Sequence, residues 1–236
     1  SIPSLPNAIP YVTSYYKEDW GFCIAENERK NLIKRGKYKV FIDSKLFNGE
    51  LNYGEAFIKG KSKKEVLISS YICHPSMANN EISGPVVSSY ILKYLKKKRN
   101  KFSYRFIFIP ETIGSITYLS KNYKNLKKNV VAAYNLSCIG DERNYSYLPS
   151  RSNISVADII STKVLKKKFF NFKSYNWYDR GSDERQFCSP GIDLPMVTLM
   201  RTKYGEYKEY HTSLDKIGTV VTSNGLLGGY KLVKNI

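Results

Sequence analysis

The chain has 236 residues, enough for one large domain or for one domain with a small appendage. Hydrophobic residues make up 42% and aromatics 14%, which supports a sizeable core, while no apolar stretch approaches the roughly 20 residues that span a bilayer. Lys and Arg number 38 against 20 acidic residues, a net charge of +18 that attracts acidic partners.

The first 62 residues or so read as a small β-rich subdomain. Prolines at 3, 6 and 10 and the aromatics Tyr11, Tyr15, Tyr16, Trp20 and Phe22 suit irregular structure packed on a surface. Lys37–Asp43 and Leu51–Lys59 look like two antiparallel strands, with a turn at Asn48-Gly49. From residue 63 to 236 the pattern becomes strand, helix, strand. Val66–Cys73 is a continuous apolar run, as in a buried parallel strand. Ile82–Arg99 carries Val86, Val87, Tyr90, Ile91, Tyr94 and Leu95 at helical spacing. Tyr104–Ile109 is a second strand stopped by Pro110, followed by a short helix over Ser115–Tyr123. Asn129–Ile139 is a third strand and Val156–Lys168 a helix. A short strand near Phe172–Trp177 leads to a helix around Asp183–Cys188. Leu194–Met200 is a further strand, and Asn224–Val233 the last helix. This alternation predicts an α/β fold, a mainly parallel sheet sandwiched by helices.

The chain has only two histidines, His74 and His211. Each lies shortly after an apolar run, in a loop crowded with polar residues. In an open parallel sheet, ligands bind outside the carboxyl ends of the strands. The pair is therefore a candidate shared metal site; the plainer alternative is two ordinary loop histidines. Glu111 follows a strand directly, where desolvation would raise its pKa toward general-base duty. It would equally suit a helix N-terminus as a dipole-favoured carboxylate. Ser182 or Asp183 suits a helix cap. Asp141 is a ligand or a turn residue, and Asp215 caps an element or orients His211. Tyr204, Tyr207 and Tyr210 line a pocket or cover the core. Arg180 and Arg201 would pair with a substrate carboxylate or phosphate, or lie on the surface.

Several other chemistries lack their signatures. There is no G-x-S-x-G elbow for a serine hydrolase, and no phosphate-binding or dinucleotide-binding glycine pattern. Cys73 beside His74 hints at a thiol nucleophile, but neighbours in a strand point to opposite faces. The lysine clusters at 61–64, 96–99, 127–128 and 166–168 are scattered over helix ends and loops. No zinc finger, RNP-like motif or helix-turn-helix accompanies them, so nucleic acid is not an expected partner. The four widely spaced cysteines fit a reduced, cytoplasmic setting, and no signal-peptide pattern opens the chain. It begins at Ser1 and not at Met, as a processed protein or a piece of a longer one would.

The motifs ICHPSMANNEISGP, FIFIPETIGS, GSDERQFCSPGIDLP and YGEYKEYHTSLD, in this order, resemble the zinc-exopeptidase superfamily of bacterial aminopeptidases and glutaminyl cyclase. They most resemble its aminopeptidase-like members associated with polysaccharide biosynthesis. AIPYVTSYYKEDWGFC is similar to the small β domain inserted in those proteins. The resemblance covers essentially the whole chain. Full-length relatives carry further N-terminal and C-terminal winged-helix parts, so it implies a fragment or a shortened member. It implies that His74 and His211 are metal ligands, that Glu111 is the general base and that Asp183 supports it. It also exposes departures. Asn80, Thr112 and Ser137 stand where aminopeptidases have metal-binding carboxylates, and an amide or hydroxyl is a poor substitute. One zinc ion is therefore expected rather than two. Alignment shifted by one residue would make Glu111 the ligand, with Glu81 and Asp141 as reserve ligands.

The expectation is a zinc-dependent hydrolase of a peptide or amide bond, aminopeptidase-like, acting on a small peptide or an amide-bearing amino sugar. The alternative is a catalytically degraded binding or scaffold protein on the same fold, in surface polysaccharide biosynthesis. A third reading, nucleic-acid binding driven by charge, would show steep salt dependence.

Overall fold

In the computed structural model the described residues are 1–14, 17–32 and 35–236, so Tyr15 and Tyr16 of the aromatic group lie outside them. A short helix α1 (Glu26–Asn31) precedes a sheet built from β1 (Gly54–Ile58), β2 (Glu65–Tyr71), β3 (Ser103–Ile109), β4 (Val130–Leu136), β5 (Tyr145–Leu148), β6 (Phe172–Ser174) and β7 (Met196–Met200). Its order is β1-β3-β2-β4-β7-β5-β6. The central strands β3, β2, β4 and β7 run parallel, while β1 on β3 and β5 on β7 are antiparallel. Helices α2 (Ser83–Lys96), α3 (Ile113–Asn129), α4 (Val156–Lys168), α5 (Glu184–Phe187) and α6 (Ser223–Asn235) complete the fold.

The pleat explains the layers. Successive strand residues point to opposite faces. Ile68, Phe106, Tyr134 and Val197 pack on one face with Val87 and Ile91 of α2, Leu165 of α4 and Leu232 of α6. Leu67, Ile107, Ala133 and Met196 pack on the other with Tyr118, Leu119 and Leu126 of α3 and Phe187 of α5. Strands buried on both faces read as unbroken apolar runs, which is why β2, β3 and β4 are visible in the sequence.

The expected antiparallel pair near the N-terminus is not formed. Residues 37–43 make no strand, and the expected Leu51–Lys59 strand is β1, which pairs with β3 of the main sheet. Tyr38, Val40, Phe41 and Ile42 are all at least 44% exposed, so neither face of that segment is buried to fix a register. The helix after Pro110 is longer than expected, and β5 has no counterpart in the sequence reading.

The parallel strands end together at Tyr71, Ile109, Leu136 and Met200. The loop after β2 leads through α2 toward β3, and the loop after β4 leads the opposite way, toward β7. A crevice at such a switch point is where this class of sheet binds ligands. No helix among the described residues is long and apolar enough to cross a membrane.

Candidate functional site

His74 sits three residues beyond β2, and Glu111 two beyond β3. Their side chains meet with His74 Nε2 at 3.8 Å from Glu111 Oε2. His211, on the loop after β7, brings its ring centroid to 5.3 Å from that of His74. Asp183 lies at the N-terminus of α5 and accepts at 2.8 Å from the amide of Thr112, next to Glu111. The structure thus gathers His74, Glu111, Asp183 and His211 beyond the carboxyl ends of the central strands.

The local backbone is tightly constrained. Thr112 and His211 both hold left-handed conformations, with φ of 63° and 53°. Such non-glycine residues cost about 1–3 kcal/mol each and persist where surrounding contacts over-determine them. Asp183 anchors the first of these turns. Tyr210 stacks on the His211 ring at 3.9 Å, which fixes the second. An N-terminal strap crosses over the histidines: Tyr11 donates its amide to the His211 carbonyl at 2.8 Å. The Tyr11 ring centroid lies 5.5 Å from that of His74 and 5.4 Å from that of His211.

The electrostatics follow from burial. Burial raises the Glu111 carboxyl, against a hydrogen bond from Ser182 and the nearby His74. Ser182 donates to Glu111 Oε1 at 2.7 Å, leaving Oε2 toward His74. Burial pushes Asp183 up to about 7, opposed by the Thr112 amide and assisted by the Glu111 charge. His211 is pushed down to about 4 by burial and then by His74. Burial also opposes the charged form of His74, yet Glu81, Glu111 and Asp183 carry its net shift upward.

Two imidazoles and a carboxylate are the donor set of many catalytic zinc sites. Two ligand atoms each about 2.1 Å from one tetrahedral ion lie about 3.4 Å apart, close to the His74–Glu111 spacing. His211 Nε2 is buried without a hydrogen-bond partner, as is Asp183 Oδ2. A buried nitrogen left unpaired is costly unless something binds it, and His74, Glu111 and His211 are of the residue types that hold a divalent ion. Among the described residues, the group whose ligand atoms all lie within 4.8 Å of one another is Cys73, His74 and Glu81, without Glu111 or His211. Cys73 is not on the opposite face from His74. Both lie beyond the end of β2, where strand alternation no longer applies, and Sγ is 3.2 Å from Nδ1. Burial pushes that thiol up to about 12, unfit for a nucleophile.

Other candidates have structural contacts. Asp141 accepts from Asn79, Arg143 and Thr202, so its oxygens serve a turn. Asp215 neither caps α6 nor touches His211; it accepts from the amides of Asn79 and Asn80 and from Tyr207. Asp183 begins α5 without capping it through its side chain. Arg180 packs on Trp177, and Arg201 packs on Tyr145 and donates to the Asn144 carbonyl. Asn80 and Ser137 are buried and both bond to the Tyr71 hydroxyl.

Sequence reasoning missed Glu184. It is fully buried and accepts from the amides of Gly181 and Ser182, from the Tyr204 hydroxyl, and from Asn135 and Thr198 on β4 and β7. It ties the loop bearing Ser182 and Asp183 to the sheet. A second acid directly after Asp183 is the only sequence hint of this. The strap carrying Tyr11 leaves no such hint.

A seven-stranded sheet of this order between helices is similar to the zinc-exopeptidase fold. The fold is shared with a zinc aminopeptidase of Bacillus subtilis, at TM-score 0.64 and 18% identity over 78% of this chain and 48% of that one. It is shared too with glutaminyl cyclase of Porphyromonas gingivalis, at TM-score 0.62 and 15% identity over 78% of this chain and 75% of that one. The chain belongs to the family described as a domain of unknown function, DUF4910, whose model matches residues 3–236. A Clostridium acetobutylicum relative is 44% identical over 234 residues, 98% of this chain and 52% of its own length. It is provisionally named a polysaccharide biosynthesis protein with an aminopeptidase-like domain. A crystal structure from the same species, provisionally called a peptidase, superposes at TM-score 0.94 with 42% identity, over 99% of this chain and 55% of that one. The chain therefore spans about half the length of these two relatives.

Proposed function

We propose that this chain is a metal-dependent hydrolase of a peptide or amide bond, with one zinc ion held by His74 and His211. The observation that carries this reading is the meeting of both histidines beside Glu111, with a buried, unpartnered Nε2 on His211. The ion supplies Lewis acidity toward a carbonyl and toward water. Glu111, raised by burial, takes a proton at Oε2 and passes it to the departing amine as water adds across the bond. Ser182 holds Oε1 and so aims Oε2, and Asp183 pins the turn on which Glu111 sits. The substrate is a small peptide or an amide-bearing amino sugar; the name peptidase given to one relative supports the first of these.

Metal analysis of the purified protein and turnover of aminoacyl and acetamido substrates test the reading. Wild type is expected to hold about one zinc per chain, and His74→Ala or His211→Ala to lose it. Glu111→Gln separates the two roles open to that residue. As a base it keeps zinc and loses turnover at least about 100-fold; as a ligand it loses the zinc itself. Metal-free wild type after zinc is supplied at neutral pH sinks the proposal.

A second reading is a binding or scaffold protein on this fold. The observation favouring it is the hydrogen-bonded wiring of Asn80 and Ser137 to Tyr71, positions without a charge to offer a cation. It is distinguished by a melting temperature that chelators leave unchanged.

A further inference from the structure

The loop after β2 does not enter α2 directly. It first makes a π-turn over Ala78–Ile82, marked by the Ile82 amide bonding back five residues to the Met77 carbonyl at 3.4 Å. The first amides of a helix have no partners within it. Here three of them, in consecutive residues, converge on one acid. The Ala78 amide donates to the Asp215 carbonyl at 2.9 Å. Those of Asn79 and Asn80 donate to its two carboxylate oxygens at 2.7 and 2.9 Å. The next residue of the turn, Glu81, then points back at His74. Its Oε2 accepts the His74 amide at 2.8 Å and lies 3.3 Å from His74 Nδ1. The other ring nitrogen faces Glu111.

We infer that Glu81 is the positioning carboxylate of His74, and that Asp215, four residues after His211, holds the turn that presents it. This rests on the metal reading above and changes the part given to Glu81. A carboxylate beside one imidazole nitrogen keeps the proton there and leaves the other nitrogen's lone pair for a ligand. Glu81 faces Nδ1, the side of the ring away from Glu111, so it orients His74 rather than binding the ion. The π-turn is the reason the residue can do this, because the widened turn brings Glu81 under the His74 backbone. Asp215 then makes the two histidine elements one unit: a shift of the His211 loop moves the turn, and the turn moves Glu81.

The test has two arms. In metal-free wild type at alkaline pH, the long-range ¹H–¹⁵N spectrum of the two histidines, separated by a His211→Gln variant, is expected to show His74 protonated at Nδ1. An Nε2-protonated His74 overturns the inference and needs no mutant at the acid. In the second arm, Glu81→Gln is expected to weaken zinc binding about 10–100-fold in chelator competition. Its cobalt(II) visible bands are expected to keep their positions, because no coordinating atom has changed. Wild-type zinc affinity in Glu81→Gln overturns the inference, and so do altered cobalt bands, which would make Glu81 a ligand. Wild type that binds no zinc overturns the metal reading and this inference together, a result distinct from failure at Glu81 alone.

Discussion

Two carboxylates and two imidazoles packed beyond the carboxyl ends of the central strands set one another's protonation. Asp183 is buried and raised to about 7, well above the ordinary aspartate value. The folded chain therefore holds a proton on Asp183 that the unfolded chain releases near pH 4. Between about pH 4 and 7 this residue makes folding less favourable as pH rises, by up to roughly 4 kcal/mol across the window. His211, lowered to about 4, acts in the opposite sense, because the unfolded chain binds its proton first. Asp183→Asn removes the first contribution and keeps an acceptor for the Thr112 amide. The stability of that variant relative to wild type is thus expected to improve as pH rises from 4 to 8. Denaturant melts of metal-free protein at both ends check this, and a difference independent of pH counts against a raised Asp183. His74, His211, Glu111 and Asp183 were all legible in the sequence as polar residues beyond apolar runs. The work of Glu81, Glu184 and Asp215 was not, since each acts through backbone amides that a sequence does not locate.

At the scale of elements, long buried parallel strands and amphipathic helices were the most readable parts. Val156–Lys168 is a helix over the expected limits, opened by Ser155 and Asp158 in a capping box. β5 was hidden because Tyr145-Ser146-Tyr147-Leu148 is short and neither alternates nor runs apolar, and Ser146 is as buried as its neighbours. The 37–43 segment erred the other way, with strand-like residues and no face to bury. Close packing of α2 and α6 against the site edge was invisible too, although glycines mark it. A Cβ on Gly84 would lie 2.3 Å from Ser70 Oγ and 2.4 Å from the Leu136 carbonyl oxygen. One on Gly225 would lie 1.9 Å from the Gly140 carbonyl oxygen. Backbone cannot yield as a side-chain tip can, so Gly225→Ala is expected to cost about 1–3 kcal/mol or more. Thermal melts check it; an unchanged melting temperature would mean that α6 does not sit this close.

For the whole molecule, charge and metal make separable predictions. The lysine clusters behind the +18 charge are scattered along the sequence, so any retention on DNA is expected to vanish by about 0.2 M salt. Binding that survives higher salt would restore the nucleic-acid reading. A ligand at 100 times its dissociation constant stabilises by about 2.7 kcal/mol. In a chain of this size that shifts melting by roughly 5–10 °C. Stripping zinc with a chelator is expected to lower the melting temperature by that amount, and to do so far less in His211→Ala.

The strap and the π-turn tie together parts of the chain that are made far apart in time. Ile9 bonds to Ser213 across 204 residues, and Asn79 to Asp215 across 136. Loop closures of this length are among the slow, entropically expensive steps of folding. A chain synthesised from its N-terminus can pair β2 with β3 and β4 while the rest is still being made. It can form neither closure until residue 215 has left the ribosome. His74 therefore waits, without its partner, while the residues up to the His211 loop are made. On the metal reading proposed above, the two histidines can be brought together for an ion only after residue 215 has been made.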